Sequence, residues 1–245
     1  MKPRAILTFD LEFWYNSEFL KKYLPKNLNV LPDYVKESTE RILDILDKYN
    51  QKATFFVLGQ LAEKYPSIIK KVFNCGHEIA FHGYSHKVLK DITKKEFEKE
   101  LIWGKKIIKD ITGKNPKGFR APAFSLNNNT KWALEILKKY DFQYDSSIHP
   151  FSFKKINGPI LEIPPSLGGI YFRGLPLNIY IFLIKHLPKK PVLYFHPYEL
   201  FDFMPKIQSC PWLKRKIKYV GTKNAFKKFE KLVQYFQFSS IENIL

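Results

Sequence analysis

The stretch Ala5-Ile6-Leu7-Thr8-Phe9-Asp10 is a short, almost continuous apolar run that ends in a carboxylate. Its length and composition predict a buried β-strand. Similar runs recur along the chain and alternate with segments whose apolar residues follow the helical period. Strands that alternate with helices indicate parallel βαβ units, so the sequence predicts an α/β fold built as a barrel or as a doubly wound sheet.

The remaining elements follow from the same two periods. Further strands are predicted at 53–58, 77–81, 117–120, 142–145, 160–163, 170–172 and 191–196, with a short run at 236–239. Helices are predicted at 33–49, 61–74, 93–113, 130–140, 177–185 and 222–235. Pro66 is placed to split the second helix, and Thr93-Lys94-Lys95-Glu96 has the form of a capping box at the start of the third. No internal repeat or linker interrupts this pattern, so residues 1–245 are expected to form one domain.

Composition restricts the class of protein further. The chain has 245 residues and 45% are apolar, enough for a sizeable core. Cys75 and Cys210 lie far apart without ligand-like spacing, so two reduced thiols are expected. The amino-terminal apolar run is too short for a signal peptide, and no apolar stretch reaches the ~20 residues of a spanning helix. A cytoplasmic location is therefore expected.

The net charge of +18 is unevenly distributed. Residues 151–245 hold 15 Lys and Arg against 5 Asp and Glu, whereas the first 150 residues hold 26 against 18. Such an excess is compatible with a lysine-rich solvated surface. It also suits an anionic partner, such as phosphate-bearing lipids or nucleic acid.

Polar residues follow successive predicted strands: Asp10, His82, Arg120, Asp145 and His196. The carboxyl ends of parallel strands meet at one face of the fold, so these distant residues can share one pocket. His82 and His86 are four positions apart and would lie on one side of a helical turn, where both can bind one metal ion. Taken alone, such a pair is also compatible with solvated or core histidines.

Four ordered motifs resemble those of the polysaccharide deacetylases, the NodB-homology group of carbohydrate esterase family four: Thr8-Phe9-Asp10, His82-Gly83-Tyr84-Ser85-His86, Arg120-Ala121-Pro122-Ala123-Phe124 and Tyr194-Phe195-His196-Pro197. Two further segments resemble the subgroup associated with exopolysaccharide synthesis, namely Asp145-Ser146-Ser147 and Glu162-Ile163-Pro164-Pro165-Ser166. The resemblance implies a distorted (β/α) barrel with about seven parallel strands.

The resemblance also implies roles. Asp10 would be the general base, Arg120 would orient it, His82 and His86 would bind the metal, and His196 would be the general acid. The implied cofactor is a divalent metal, above all zinc, with cobalt, nickel or manganese as alternatives. An acetamide is a poor electrophile, so its hydrolysis needs a metal that activates water and an acid that protonates the nitrogen.

The sequence departs from the family pattern after Asp10. Many members have a second aspartate there as a metal ligand, whereas this chain has Leu11 followed by Glu12. Residues two apart in an extended segment point the same way, so Glu12 can face the pocket beside Asp10. Glu12 is thus the expected third ligand. The alternatives are a carboxylate that contacts substrate or supports a ligand, and a protein that binds no metal.

Several residues have weaker cases. Asp145 could pair with His196 or Arg120, or bond the turn that follows it. Trp14, Phe124 and Tyr171 could form aromatic walls for a sugar ring, although aromatic residues are as often core. Arg173 could bind an acidic or phosphorylated part of a substrate.

The expected function is metal-dependent N-deacetylation of an N-acetylated sugar in a polysaccharide or a lipid-linked glycan precursor, with peripheral contact to the anionic inner membrane face. One alternative keeps the fold but hydrolyses a cyclic amide or a formamide, with or without metal. Another is a non-enzymatic basic protein that binds nucleic acid or an anionic membrane. No nucleic-acid motif is present, so a nucleic-acid partner is not expected. The oligomeric state is left open.

Overall fold

The structure is a computed structural model that describes residues 2–150, 152, 156–187, 190–201 and 205–245. Its strands are β1 (Arg4–Leu11), β2 (Thr54–Val57), β3 (Glu78–Phe81), β4 (Gly118–Phe119), β5 (Tyr144–Asp145), β6 (Leu161–Glu162), β7 (Val192–Phe195) and β8 (Gln237–Ser239). All their pairings are parallel, in the order β6-β5-β4-β3-β2-β1-β7, and β8 also pairs with the amino-terminal half of β1.

The sheet curls because the chain beyond β6 reaches back to β7. The Ser166 amide donates to the Val192 carbonyl at 2.8 Å, and Gly168 forms a bridge to Tyr194. A Cβ at Gly168 would lie 1.8 Å from the Tyr194 carbonyl oxygen, so this approach requires glycine. The prediction of a single-domain α/β fold with about seven parallel strands in a distorted barrel is confirmed.

The helices are α1 (Val35–Lys48), α2 (Gly59–Lys64), α3 (Pro66–Asn74), α4 (Lys94–Thr112), α5 (Trp132–Lys139), α6 (Gly169–Gly174), α7 (Leu177–Lys185), α8 (Trp212–Tyr219) and α9 (Ala225–Tyr235). Pro66 does split the second predicted helix, because its ring suits the first turn of α3. The capping box is also confirmed. The Thr93 hydroxyl accepts from the Glu96 amide, and the Glu96 carboxylate accepts from the Thr93 amide.

Two parts of the carboxyl-terminal third were predicted wrongly. Residues 170–172 were expected to be a strand but lie in α6, and α8 was not predicted at all. A short apolar run such as Ile170-Tyr171-Phe172 has no period long enough to separate strand from helix. In α8 the apolar side chains face outward, so the usual amphipathic pattern is reversed.

Strand β1 pairs with three other strands, β2, β7 and β8. Phe9 stacks on Phe55 of β2 with ring centroids 4.9 Å apart, and Phe195 of β7 packs edge-on against Phe229 of α9. Burying each such ring contributes about 1.5–3 kcal/mol. Asp10, which directly follows Phe9, is thereby held on the best-supported strand of the sheet.

Cys75 and Cys210 are free thiols, as expected. Within the described part of the chain, no helix combines the length and the apolar character that a membrane span requires.

Candidate active site

The carboxyl end of β1 carries a buried ion pair. Asp10 Oδ1 lies 2.7 Å from Nη1 of Arg120, and both residues are almost fully buried. The guanidinium also donates to the Thr8 hydroxyl at 3.0 Å and to the Ser146 hydroxyl at 2.8 Å, and it lies 3.9 Å from the centroid of the Phe56 ring. These contacts hold Arg120 in one position, so the geometry fits its predicted role of orienting Asp10.

Glu12, His82 and His86 converge beside this pair. One ligand atom from each lies within 4.8 Å of the other two, and all three residues are buried. Glu12 Oε2 contacts His86 Nε2 and lies 3.5 Å from His82 Nε2. Asp10 and Glu12 thus face the same pocket, as the spacing along an extended strand predicts.

The histidine pair does not lie on a helical turn, so that premise was wrong. The two residues belong to a loop after β3, in which Gly83 has φ +76° and His86 has φ +58°. A non-glycine residue in this region carries conformational strain. The left-handed backbone at these two positions turns the chain so that both imidazoles point inward.

Glu100 of α4 holds this loop in place. Its carboxylate accepts from the Tyr84 amide at 2.9 Å and from the Ser85 amide and hydroxyl. On the other side, the Gly83 carbonyl accepts from the Gly59 amide at 2.9 Å. Nothing in the local sequence of Glu100 pointed to this role, because the two segments meet only in the folded chain.

The donor set fits a divalent cation. His82 Nδ1 lies 2.8 Å from the Arg120 carbonyl, which can only accept, so the ring proton is on Nδ1 and Nε2 is free to bind a metal. Glu12 Oε2 is buried and faces the Nε2 atoms of both imidazoles, so the three ligand atoms converge on one position. One carboxylate and two imidazoles form a ligand set that zinc accepts while leaving a position for water or substrate.

Charge within the cluster supports the same reading. Burial raises the pKa of Glu12, but His86 and His196 outweigh it and hold that pKa well below its ordinary value. Burial lowers the pKa of His86, but the Glu12 carboxylate outweighs it and raises that pKa. A metal ion bound between the two residues would replace the proton on His86.

His196 follows β7 and faces both carboxylates. Its Nε2 lies 3.9 Å from Asp10 Oδ2 and 3.5 Å from Glu12 Oε1, and 20% of its side chain is exposed. Burial lowers the pKa of His196, but the carboxylates of Glu199, Glu12 and Asp10 outweigh it and raise the pKa to about 9. The imidazole is therefore protonated at neutral pH, as a general acid must be.

Glu199 is a site residue that the sequence analysis missed. Its Oε2 lies 3.2 Å from His196 Nδ1, and its Oε1 lies 3.5 Å from Nη2 of Arg173. Burial raises the pKa of Glu199, but His196 and Arg173 outweigh it and lower that pKa. Glu199 lies in the 3-10 turn Pro197–Leu200, three residues after His196, which directly precedes that turn. This spacing was the available clue.

Arg173 was expected to contact substrate, and it does line the cavity that reaches His196, so this stays a prediction. It is buried, and its Nη1 donates to the carbonyls of Lys218 and Val220 at 2.8 and 2.9 Å, beside its contact with Glu199. Its charge therefore compensates Glu199 and anchors the end of α8.

Asp145 does not make the catalytic contacts considered for it. Its described partners are the amide and hydroxyl of Ser147, at 3.1 and 2.6 Å, and the carboxyl of Glu162. It therefore bonds the turn that follows it. Burial and the neighbouring Asp145 raise the pKa of Glu162 to about 10, so Glu162 is protonated at neutral pH.

The three aromatic residues predicted to contact a sugar lie in different surroundings. Phe124 lines a cavity of about 240 Å³ that reaches His196, so its placement fits a sugar-binding wall. Trp14 is only 2% exposed and its indole donates to the Pro32 carbonyl, so it is a core residue and the prediction was wrong. Tyr171 lies at the surface and is not among the described residues that line the cavity.

The polysaccharide deacetylase family model matches residues 2–144, more than half of the chain. The chain belongs to the polysaccharide deacetylase family. The resemblance proposed from the motifs is thereby confirmed at the level of the family, whose members hydrolyse N-acetyl amide bonds of sugars. A second model, described as a domain of unknown function (DUF3473), matches residues 143–245. His196 and its partner Glu199 lie in that second region.

Among curated proteins, this deacetylase-family chain is 43% identical over 100 residues to a peptidoglycan-N-acetylglucosamine deacetylase of Bacillus cereus, covering 40% of the chain. It is 38% identical over 108 residues to a peptidoglycan deacetylase of Helicobacter pylori, covering 44% of the chain. Each match covers 36% of the relative, so the chain aligns with about a third of either protein.

Solved structures agree on the fold. A Mycobacterium smegmatis structure, whose assignment as a polysaccharide deacetylase is described as unproven, superposes with a TM-score of 0.65 at 21% identity. The superposition covers 98% of this chain and 89% of that one. A family-four pseudoenzyme from Bacillus anthracis gives 0.58 at 17% identity, covering 99% of this chain and 64% of that one. A pseudoenzyme thus shares this fold, so activity must be argued from the site.

Proposed function

We propose that the chain is a divalent-metal-dependent N-deacetylase that removes the acetyl group from an N-acetylated sugar of a glycan. One observation carries the proposal. A base held by Arg120, a Glu–His–His ligand set and a protonated His196 lie together in one buried site, with His196 Nε2 within 4 Å of both carboxylates.

Glu12, His82 and His86 would hold the metal. When bound there, a divalent cation lowers the pKa of water and polarises the carbonyl of the acetamide. The other residues handle protons. Asp10 accepts the proton of the attacking water. Arg120 keeps the Asp10 carboxylate directed at that proton.

His196 donates to the nitrogen of the departing amine. Water adds to the carbonyl carbon, the C–N bond breaks, and the products are acetic acid, which ionises to acetate on release, and the free amine. Asp10 gains one proton from the water and His196 loses one to the nitrogen, so the net protonation of the site is unchanged. The Glu199 carboxylate holds the imidazole so that Nε2, not Nδ1, faces the substrate.

The Bacillus cereus relative supports an N-acetylated hexosamine as substrate, because its name specifies peptidoglycan N-acetylglucosamine. A lipid-linked precursor as the carrier of that sugar, and membership of the exopolysaccharide subgroup, remain predictions. The basic charge of residues 151–245 supports the former, since a polyprenyl phosphate lies at an anionic membrane face.

The decisive experiment combines metal analysis with acetate release from N-acetylglucosamine oligomers. We expect about one divalent metal ion per chain, activity that a chelator removes, and activity that zinc or cobalt restores. Glu12→Gln and His82→Gln should lose metal, whereas Asp10→Asn should keep metal and lose activity. Full activity in metal-free protein would overturn the mechanism.

A substrate panel separates the rival reactions. Release of formate from a formamide, or opening of a cyclic amide, without acetate release from the oligomers would replace deacetylation by the alternative hydrolase activity.

A further inference from the structure

Helix α8 exposes its apolar face and buries a charged residue. Trp212, Leu213, Ile217 and Val220 are 67%, 55%, 41% and 37% exposed, and their spacing puts them on one face of the helix and its end. A surface helix ordinarily buries its apolar face and exposes its charges. Here the buried residue of the helix is instead a cation, Lys218, whose Nζ lies 3.2 Å from the Ser17 hydroxyl.

The exposed apolar side chains have basic neighbours. Lys216 is exposed on the same face, and Lys214 and Arg215 flank it. The sequence from 205 to 229 contains eight Lys and Arg and no Asp or Glu. Phe19, 38% exposed, extends the apolar surface, with the Lys214 ammonium 5.8 Å from the centroid of its ring.

This surface borders the candidate active site. The cavity that reaches His196 is also lined by Phe19, Ile217 and Lys218. Whatever covers the outward face of α8 therefore lies beside the entrance through which a substrate meets the acid.

We propose that the outward face of α8, together with Phe19, docks on an anionic phospholipid surface. Trp212, Leu213 and Ile217 enter the boundary between headgroups and acyl chains, and the neighbouring cations pair with lipid phosphates. Contiguous exposed apolar surface marks an interaction site, and the uniform positive charge selects an anionic partner over a second copy of this chain. The use of this contact rests on the proposed function, because docking brings the entrance to a membrane-borne glycan.

The test is sedimentation of the full chain with vesicles of phosphatidylcholine, with and without phosphatidylglycerol, at low and high salt. We expect retention by the anionic vesicles that is at least about tenfold stronger than by the neutral ones and that salt weakens. Trp212→Ser/Leu213→Ser should lose most of the binding, and Lys216→Glu should weaken it about fivefold or more, at about 1 kcal/mol per surface charge.

Trp103→Ser is the matched control. Trp103 is 50% exposed, but its indole donates to Glu63, and both Glu100 and Lys99 lie nearby, so this surface lacks the uniform positive charge around α8. It should bind as the unaltered chain does. Circular dichroism and acetate release from a soluble oligomer should be unchanged in the Trp212→Ser/Leu213→Ser variant, which separates lost docking from lost folding.

Three outcomes would overturn the docking proposal. They are equal binding by the double variant, tight binding to oligonucleotides in place of vesicles, and dimerisation through α8 without vesicle binding. Vesicle binding without acetate release would instead overturn the proposed function and leave the docking surface intact.

Discussion

The two sides of the candidate site are built differently. The metal side, defined as Asp10, Glu12, His82, His86 and Arg120, lies within the region that the deacetylase family model matches. The acid side, defined as His196, Glu199, Arg173 and Lys218, lies within the region matched by a model of unknown function. The metal side is positioned by the carboxyl ends of β1, β3 and β4, which belong to one sheet in which β2 separates β1 from β3. The acid side depends on one carboxylate, Glu199, surrounded by cations from the end of β7, α6 and α8.

The two sides should respond differently to substitution. On the metal side the backbone of the sheet sets the distances between the side chains. A single substitution there therefore removes one chemical group. On the acid side each charge is held by the next one, so a substitution at Glu199 also changes the environment of His196 and Arg173.

The largest effect is expected from Asp10→Asn on the metal side. It removes the base but keeps the shape of the side chain, so kcat should fall by about 10³-fold or more while the bound metal remains. Acetate release and metal content measure the two effects. Because Arg120 then lacks its charge partner in the core, thermal unfolding is the control for loss of folding.

Glu199→Gln should have the next largest effect and tests the acid side. The amide cannot compensate the charge of His196, so kcat should fall about 10- to 100-fold with metal content unchanged. Since Glu199 raises the pKa of His196, the loss of activity at alkaline pH should begin at a lower pH in the variant. A pH–rate profile that does not move would contradict the positioning role of Glu199.

Glu100→Ala should weaken metal binding about 10- to 100-fold, with a smaller loss of kcat when metal is saturating. The reason is that Glu100 holds the loop between His82 and His86. Glu98→Ala is the matched control, because Glu98 lies on the same helix and makes an exposed salt bridge to Lys139. Equal metal affinity in both variants would show that the loop holds its shape without Glu100.

The smallest effect on activity is expected from Glu162→Gln. The pKa of Glu162 is raised to about 10 in the folded chain, so its contribution is complete below the unfolded pKa and is lost as pH rises toward 10. The amide carries no proton to lose, so the variant should be more stable than the unaltered chain, by an amount that grows as pH rises from about 4.5 toward 10. Denaturant unfolding at several pH values measures this. A parallel pH dependence in both proteins would place the titrating group elsewhere.

Local patterns in the sequence determined most of the sheet and the helices that alternate with it. Buried apolar runs and helical periods do not depend on distant partners, and neither does the rule that parallel strands present their carboxyl ends together. Their positions after predicted strands therefore placed four residues in one pocket, namely Asp10, His82, Arg120 and His196. Glu12 was added because it lies two residues after Asp10.

Only the tertiary structure decided the supporting contacts. Glu100 meets the histidine loop, Arg173 meets Glu199, and Asp145 meets Glu162, each across a separation that no local period encodes. The orientation of α8 also depends on distant contacts. Its apolar face points outward because Lys218, on the opposite face, is buried near the charge of Glu199. A sequence specifies which side chains can carry charge or bind metal, but burial sets their pKa values and their partners, and burial exists only in the folded chain.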